Sequence, residues 1–145
     1  MTTQEIFLVR SSFQQVAPIA DQAAALFYAR LFELDPALRE MFQSDMAAQG
    51  RKLVQMLGFA VNGLDRPETL APTVRQLGRR HAGYHVRESH YDTIGTALLW
   101  TLEKGLGAAF TAETRAAWGK TYWLLAETMK AGARDAAAMQ KRAVA

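Results

Sequence analysis

A chain of 145 residues, half of them hydrophobic and 21% charged, is expected to form one domain with a single substantial core and to leave no room for a second catalytic unit. The formal net charge of +3 is small and the Lys and Arg residues are scattered, so nucleic acid is not an expected partner. The absence of cysteine excludes disulfides and thiol catalysis, restricts metal ligands to His, carboxylate and Met, and fits a reducing cytoplasm. The first residues contain no basic segment leading into an apolar run, and nothing approaches the ~20 apolar residues that cross a bilayer. A cytoplasmic protein without membrane contact is the expectation.

In chain order, Thr2 followed three positions later by Glu5 reads as a capping box, and Ile6, Val9, Phe13 and Val16 recur at helical spacing until Pro18. A second helix is predicted from Asp21, with Leu26, Phe27, Leu31 and Leu34 as its apolar stripe and Tyr28 beside it, ending at Asp35-Pro36. Asp before Pro suits the start of the short helical turn Pro36–Phe42, because the carboxylate caps free amides and Pro loses nothing at the first position. After a loop near Ser44 and Asp45, residues 46–64 set Gln49, Leu53, Leu57 and Val61 on one face, and Asn62-Gly63 closes the segment. Pro67 and Pro72 are expected to flank a loop, followed by a shorter helix lined by Val74, Leu77 and His81. His90 to Leu106 carries Tyr91, Ile94, Leu98 and Leu102, with Gly105 and Gly107 at its end. Thr111 caps a last long helix whose buried side should hold Trp118, Tyr122, Leu125 and Met129. The tail after Gly132 lacks apolar periodicity and is predicted to be a helical extension or a frayed end, so that residues 1–132 are the domain and 133–145 its appendage. No β-type alternation, repeat or linker is found.

Three histidines invite chemistry. A His on a helix face is most often structural, but His81 follows Leu77 by one turn and precedes Val86, an apolar setting suited to the face of a porphyrin. Gln49 is either a surface amide near a helix start or a polar group with a task inside the core. Tyr28 is either core filler or a hydroxyl aimed into a cavity, and Phe42 either fills the core or wedges against a flat cofactor. His81 and His85 are four apart, as paired zinc ligands can be, but no Glu follows the first and no third ligand has a recognisable spacing. His85 reads as a partly exposed residue and His90 as a surface or capping one. Phosphate cradles, nucleophile elbows and Ser/His/Asp arrangements are missing.

The ordered set Phe27-Tyr28-Ala29-Arg30-Leu31-Phe32, Asp35-Pro36, Phe42, Gln49 and Leu77-Gly78-Arg79-Arg80-His81, together with the interval from Gln49 to His81, resembles the globin family from about Ile6 to Gly132. Ile94-Gly95 through Gly107, with Phe110-Thr111 and Ala116-Ala117-Trp118, is similar to the last two helices of neuroglobin, whereas Tyr28 and Gln49 resemble single-domain bacterial haemoglobins and the globin half of flavohaemoglobins. The resemblance implies an all-α, three-over-three sandwich around haem b. It implies that His81 is the proximal iron ligand, that Tyr28, Gln49 and Leu53 line the distal side, and that Phe42, Lys52, Leu53, Leu77, Val86, Tyr91 and Ile94 touch the haem, with Lys52 offered to a propionate. A Tyr hydroxyl and a Gln amide above iron could donate hydrogen bonds to dioxygen, slowing its escape. Gln49 cannot form the bis-histidyl state familiar from neuroglobin. In flavohaemoglobins a proximal Tyr and a Glu form a network with the iron-bound His; Tyr91 matches the Tyr, but Ala133 stands at the Glu position, and His85 replaces a usual Gly.

Three functions follow as alternatives: reversible binding and transport of dioxygen or another diatomic gas at a five-coordinate iron, nitric oxide dioxygenation or nitrite reduction with electrons from a separate reductase, and a haem-free interaction domain. Tyr28 and Gln49 speak against the third, because an apolar filling would leave them without partners.

Overall fold

The computed structural model describes residues 1–42, 45–83 and 86–144. His85 and Ser44 lie outside the described residues. The chain forms α1 (Thr3–Val16), α2 (Ala20–Leu34), α3 (Met46–Asn62), α4 (Pro67–Gly83), α5 (Glu88–Leu106) and α6 (Ala112–Val144), with 3₁₀ turns at Ala17–Ile19, Pro36–Met41 and Gly107–Ala109. No strand occurs among the described residues, and the all-α expectation is borne out. α1, α3 and α4 form one layer over α2, α5 and α6, with α4 crossing α6, α2 crossing α3 and α1 crossing α6.

The punctuation works locally as the side chains dictate. Thr2 Oγ1 accepts from the Glu5 amide at 3.1 Å while the Glu5 carboxylate accepts from the Thr2 amide at 2.8 Å, so two free donors of α1 are satisfied reciprocally. Asp35 and Asp45 accept from the amides two residues on, and Thr111 accepts from the Thr114 amide at the start of α6. His90 Nδ1 accepts from the Arg87 amide at 2.9 Å, giving it the capping role. Gly107, at φ 56°, ends α5 in a conformation that a β-carbon would strain.

Two expectations are corrected. Pro67 and Pro72 do not flank a loop: both lie in α4. Pro67 takes the first helical position, where its missing N–H costs nothing, whereas Pro72 lies inside the helix, where it removes the bond to the Glu68 carbonyl and crowds that carbonyl. The apolar stripe of α2 is also rotated. Leu26 and Leu34 are about 40% exposed, at 41% and 40%, whereas Ala23, Ala24, Phe27, Tyr28 and Leu31 are buried, because α2 is covered by both α3 and α5.

Packing divides into two apolar clusters. The larger gathers Val9, Phe27, Tyr28, Leu31, Val61, Leu98, Leu102 and Trp118 from five helices, and the smaller joins Ala60, Leu70, Val74 and Leu125. Ser12, buried in α1, accepts from Trp118 Nε1 at 2.7 Å and donates back to its own helix, tying the two ends of the chain together. Arg10 reaches from α1 to the Val61 and Asn62 carbonyls and to Asp65, satisfying the end of α3. α4 and α6 meet closest at Gly78 and Gly132: a β-carbon on Gly78 would run into the Met129 backbone, and one on Gly132 into the Arg75 carbonyl. The Gly in Leu77-Gly78-Arg79-Arg80-His81 thus exists for a helix crossing, one turn before His81.

Candidate functional site

His81 lies on α4, half-buried, with Nδ1 2.9 Å from the Leu77 carbonyl. A carbonyl only accepts, so Nδ1 carries the proton and Nε2 keeps its lone pair. Burial pushes the imidazole below its ordinary pKa, against the opposing effect of the Leu77 carbonyl. A neutral ring of fixed tautomer with an open Nε2 is the state in which histidine binds a metal. The His81 carbonyl in turn accepts from the Val86 amide at 3.1 Å, closing the chain after α4 and bringing half-buried Val86 back beneath the helix end. Leu77 is half-buried as well.

On α2, Tyr28 is 7% exposed and surrounded by rings. Phe27 lies edge-on at 5.0 Å between centroids, Phe42 edge-on at 5.3 Å and Phe32 at 6.1 Å. These are the distances and tilts at which aromatic quadrupoles attract. Burial raises the phenol pKa, and a hydrogen bond with Gln49 opposes the rise. Gln49 is thus a hydrogen-bond partner of the Tyr28 hydroxyl. α2 and α3 can bring this pair together because Gly50, buried beside Gln49, lets Ala24 approach. Leu53, one turn on, packs with Phe42 and Ile94 against the larger cluster, while Lys52 points to the exposed side of α3.

The sequence-derived candidates therefore fall into two groups. Tyr28, Phe42, Leu53 and Ile94 belong to the larger cluster; α4, which carries His81, packs through Val74 and Leu70 into the smaller one. α3 and α4 meet through Ala60, Leu70 and Val74, with Met56 packed against them. His81 and the Tyr28–Gln49 pair are thus carried by helices that pack into different clusters. Tyr91, at the start of α5, is only 4% exposed yet belongs to neither cluster. Burial raises its pKa, and Glu88 adds to the rise. Its carbonyl accepts from the Tyr122 hydroxyl at 2.6 Å, whose pKa burial also raises, with Tyr91 and Asp92 adding to it. Gly95 makes room for the Tyr122 ring.

Two side chains in this region escaped the sequence reading. Phe32 completes the ring cluster around Phe42, with Arg39 over its outer face at 5.7 Å. Lys130 of α6 lies over the Tyr91 ring, 5.8 Å from its centroid. Neither has a spacing that separates it from ordinary helix residues. No group of three His, Cys, Asp or Glu side chains could hold a metal ion among the described residues; the paired-histidine arrangement involves His85, which lies outside them. No described helix is long and apolar enough to cross a membrane.

Comparison with known proteins identifies the family. A flavohemoprotein of Xylella fastidiosa is 30% identical over 128 residues, covering 86% of this chain and 32% of the relative; the chain spans about a third of that relative's length. Neuroglobin-1 of Oncorhynchus mykiss is 27% identical, covering 91% of this chain and 92% of its own. Among solved structures, an engineered carbene transferase described as a putative nitric oxide dioxygenase from Rhodothermus marinus superposes with a TM-score of 0.87 at 25% identity, over 97% of this chain and 99% of that one. A hexacoordinated heme protein from an anhydrobiotic tardigrade superposes with a TM-score of 0.84 at 17% identity, over 92% and 96%, a likeness of fold. The family model for globins matches residues 25–129, and the chain belongs to the globin family.

Proposed function

We propose that this globin binds haem b through His81 Nε2 and uses it to bind dioxygen or another diatomic gas reversibly. The observation that carries the proposal is the half-buried His81 ring, fixed by the Leu77 carbonyl in the tautomer that leaves Nε2 free. When bound, haem would supply the iron chemistry that takes up a diatomic gas, with His81 Nε2 as the protein ligand. The chain's own residues do the rest. Phe42, Leu53, Leu77, Val86, Tyr91 and Ile94 supply the apolar contacts, and Lys52, on the exposed side of α3, meets a propionate. The Tyr28 hydroxyl donates to the outer atom of the gas, Gln49 holds that hydroxyl in place, and the rings around them exclude water. Residues 1–132 form the gas-binding unit, with 133–145 as an extension of α6. The cysteine-free composition supports a cytoplasmic location.

A second reading is nitric oxide dioxygenation or nitrite reduction at the same pocket. The likeness to a flavohemoprotein and to a putative nitric oxide dioxygenase favours it; electrons would come from a separate reductase.

The test is the visible spectrum of the purified protein, ferric and ferrous, with and without dioxygen and carbon monoxide. A Soret band that His81→Ala removes and His85→Ala keeps is the expected result. A wild-type protein without any Soret band would favour the haem-free interaction domain instead, and a normal band in His81→Ala would overturn the ligand assignment. Sustained nitric oxide consumption only on addition of a reductase would support the second reading.

A further inference from the structure

Lys130 is a lysine with little access to water: its side chain is 15% exposed, against 40% for Glu127, whose carboxylate is 3.4 Å away. Its ammonium lies over the buried Tyr91 ring. The neighbouring acid Glu88 is paired with Arg134. α4 and α6 cross in antiparallel register, Gly78 at Met129 and Arg75 at Gly132, so Lys130 follows the contact residue of α6 directly and His81 stands one turn, about 4.5 Å, along α4 from its counterpart. The axes of helices in such contact lie about 8–10 Å apart or closer, so Lys130 and His81 stem from neighbouring turns of one crossing.

We propose that Lys130 is a positioning residue on the proximal side, whose half-buried ammonium, held between Glu127 and the face of Tyr91, favours the ferrous over the ferric state of iron bound at His81. The inference rests on the haem reading above. Ferric iron carries one more positive charge than ferrous, and a nearby cation disfavours it. Glu127 opposes this, but being more exposed it is better screened, so the lysine dominates. The Tyr91 ring adds a cation–π contact that keeps the ammonium turned inward, a weak attraction at exposed sites and a stronger one where water is excluded. A proximal cation also withholds electron density from the gas side, the reverse of the push that favours O–O cleavage, and so biases the site toward reversible binding.

The charge ordering makes a test that folding defects cannot imitate. A unit charge roughly 10 Å away at an effective dielectric of about 20 changes the ferric-to-ferrous ratio about tenfold, which is 59 mV for one electron. Lys130→Met should therefore lower the midpoint potential of the haem-bound protein by about that amount in spectroelectrochemical titration. Glu127→Gln should shift it the opposite way by less, and Lys130→Arg should keep it near wild type. Urea unfolding of the same variants reports any purely structural role separately. Unchanged potentials in Lys130→Met and Glu127→Gln, with a normal Soret band, would overturn the inference and leave the haem reading intact. Shifts of the same sign in both would also overturn it, since loss of packing and not of charge would then be responsible. A wild-type protein with no Soret band would overturn both.

Discussion

Replacing Gly78 with alanine sets two effects of known size against each other. Alanine gains ~0.8–1.0 kcal/mol over glycine in a helix interior. Against this, the new methyl would meet the carbonyl oxygen, carbonyl carbon and Cα of Met129. None of these can swing aside as a side chain would, so α4 and α6 must separate at their crossing. Overfilling a packed contact costs ~1–3 kcal/mol, and an immovable backbone puts this case in the upper part of that range. The net loss should be ~1–2 kcal/mol, or a urea midpoint lower by about 0.5–1 M for a small domain. Gly119 is the control. It lies within α6 with nothing within 4 Å of a built β-carbon, and Gly119→Ala should gain the propensity term alone, ~0.8–1.0 kcal/mol. Equilibrium urea unfolding at matched haem content reads both. If Gly78→Ala were as stable as Gly119→Ala, the crossing could not be as close as described and the explanation of the motif glycine would be wrong. Because His81 is one turn away, Gly78→Ala should also release haem faster than Gly119→Ala when challenged with an excess acceptor.

Tyr28→Phe should raise the dioxygen dissociation rate about five- to thirty-fold, the equivalent of losing a hydrogen bond of ~1–2 kcal/mol. Gln49→Leu should do so less, since its amide acts through the Tyr28 oxygen, and carbon monoxide should respond less to both. Stopped-flow rates for both gases decide this, and dioxygen rates unchanged in both variants would mean that the side chains serve elsewhere. Ser12→Ala should cost ~1–3 kcal/mol, because the buried Trp118 N–H loses its acceptor; a variant as stable as wild type in the same urea assay would contradict this. Glu5, held down to about 2 first by its hydrogen bond to Lys120 and then by the Thr2 amide, binds its proton less readily folded than unfolded. Its stabilising effect is therefore present above the unfolded value of about 4.5 and lost as pH falls toward about 2. Thermal melts of wild type and Glu5→Gln should differ at neutral pH and converge in strong acid, and a gap constant across that range would sink the argument.

Helix starts were readable from sequence because capping is local: Thr2 with Glu5, Asp35 before Pro36 and Thr111 before Thr114 need only three or four residues to act. Fold and family were readable because the aromatic, Gln and His positions fall in a fixed order. The facing of α2 was not, since a helix covered on two sides buries a wider arc than a single stripe, and small residues such as Ala23 and Ala24 carry no hydrophobic signal strong enough to outweigh Leu26 and Leu34. Pro67 and Pro72 read as loop punctuation because proline generally breaks helices; Pro67 sits at the tolerated first position, and the helix runs through Pro72 because α4 packs along α6. Gly78, Ser12 and Lys130 take their meaning from Met129, Trp118 and Tyr91, each on another helix far along the chain. No window along the sequence contains those partners.

The bond from Trp118 to Ser12 has a consequence for how the protein is made. α1 carries core residues such as Val9 whose cluster is completed by Ala117 and Trp118, so the first helix leaves the ribosome long before its last partner exists. Local helices can form as they emerge, but the larger cluster cannot close until the start of α6 has been translated. Nascent chains arrested before that point should remain protease-sensitive in α1, and those that include it should become resistant together in α1 and α5.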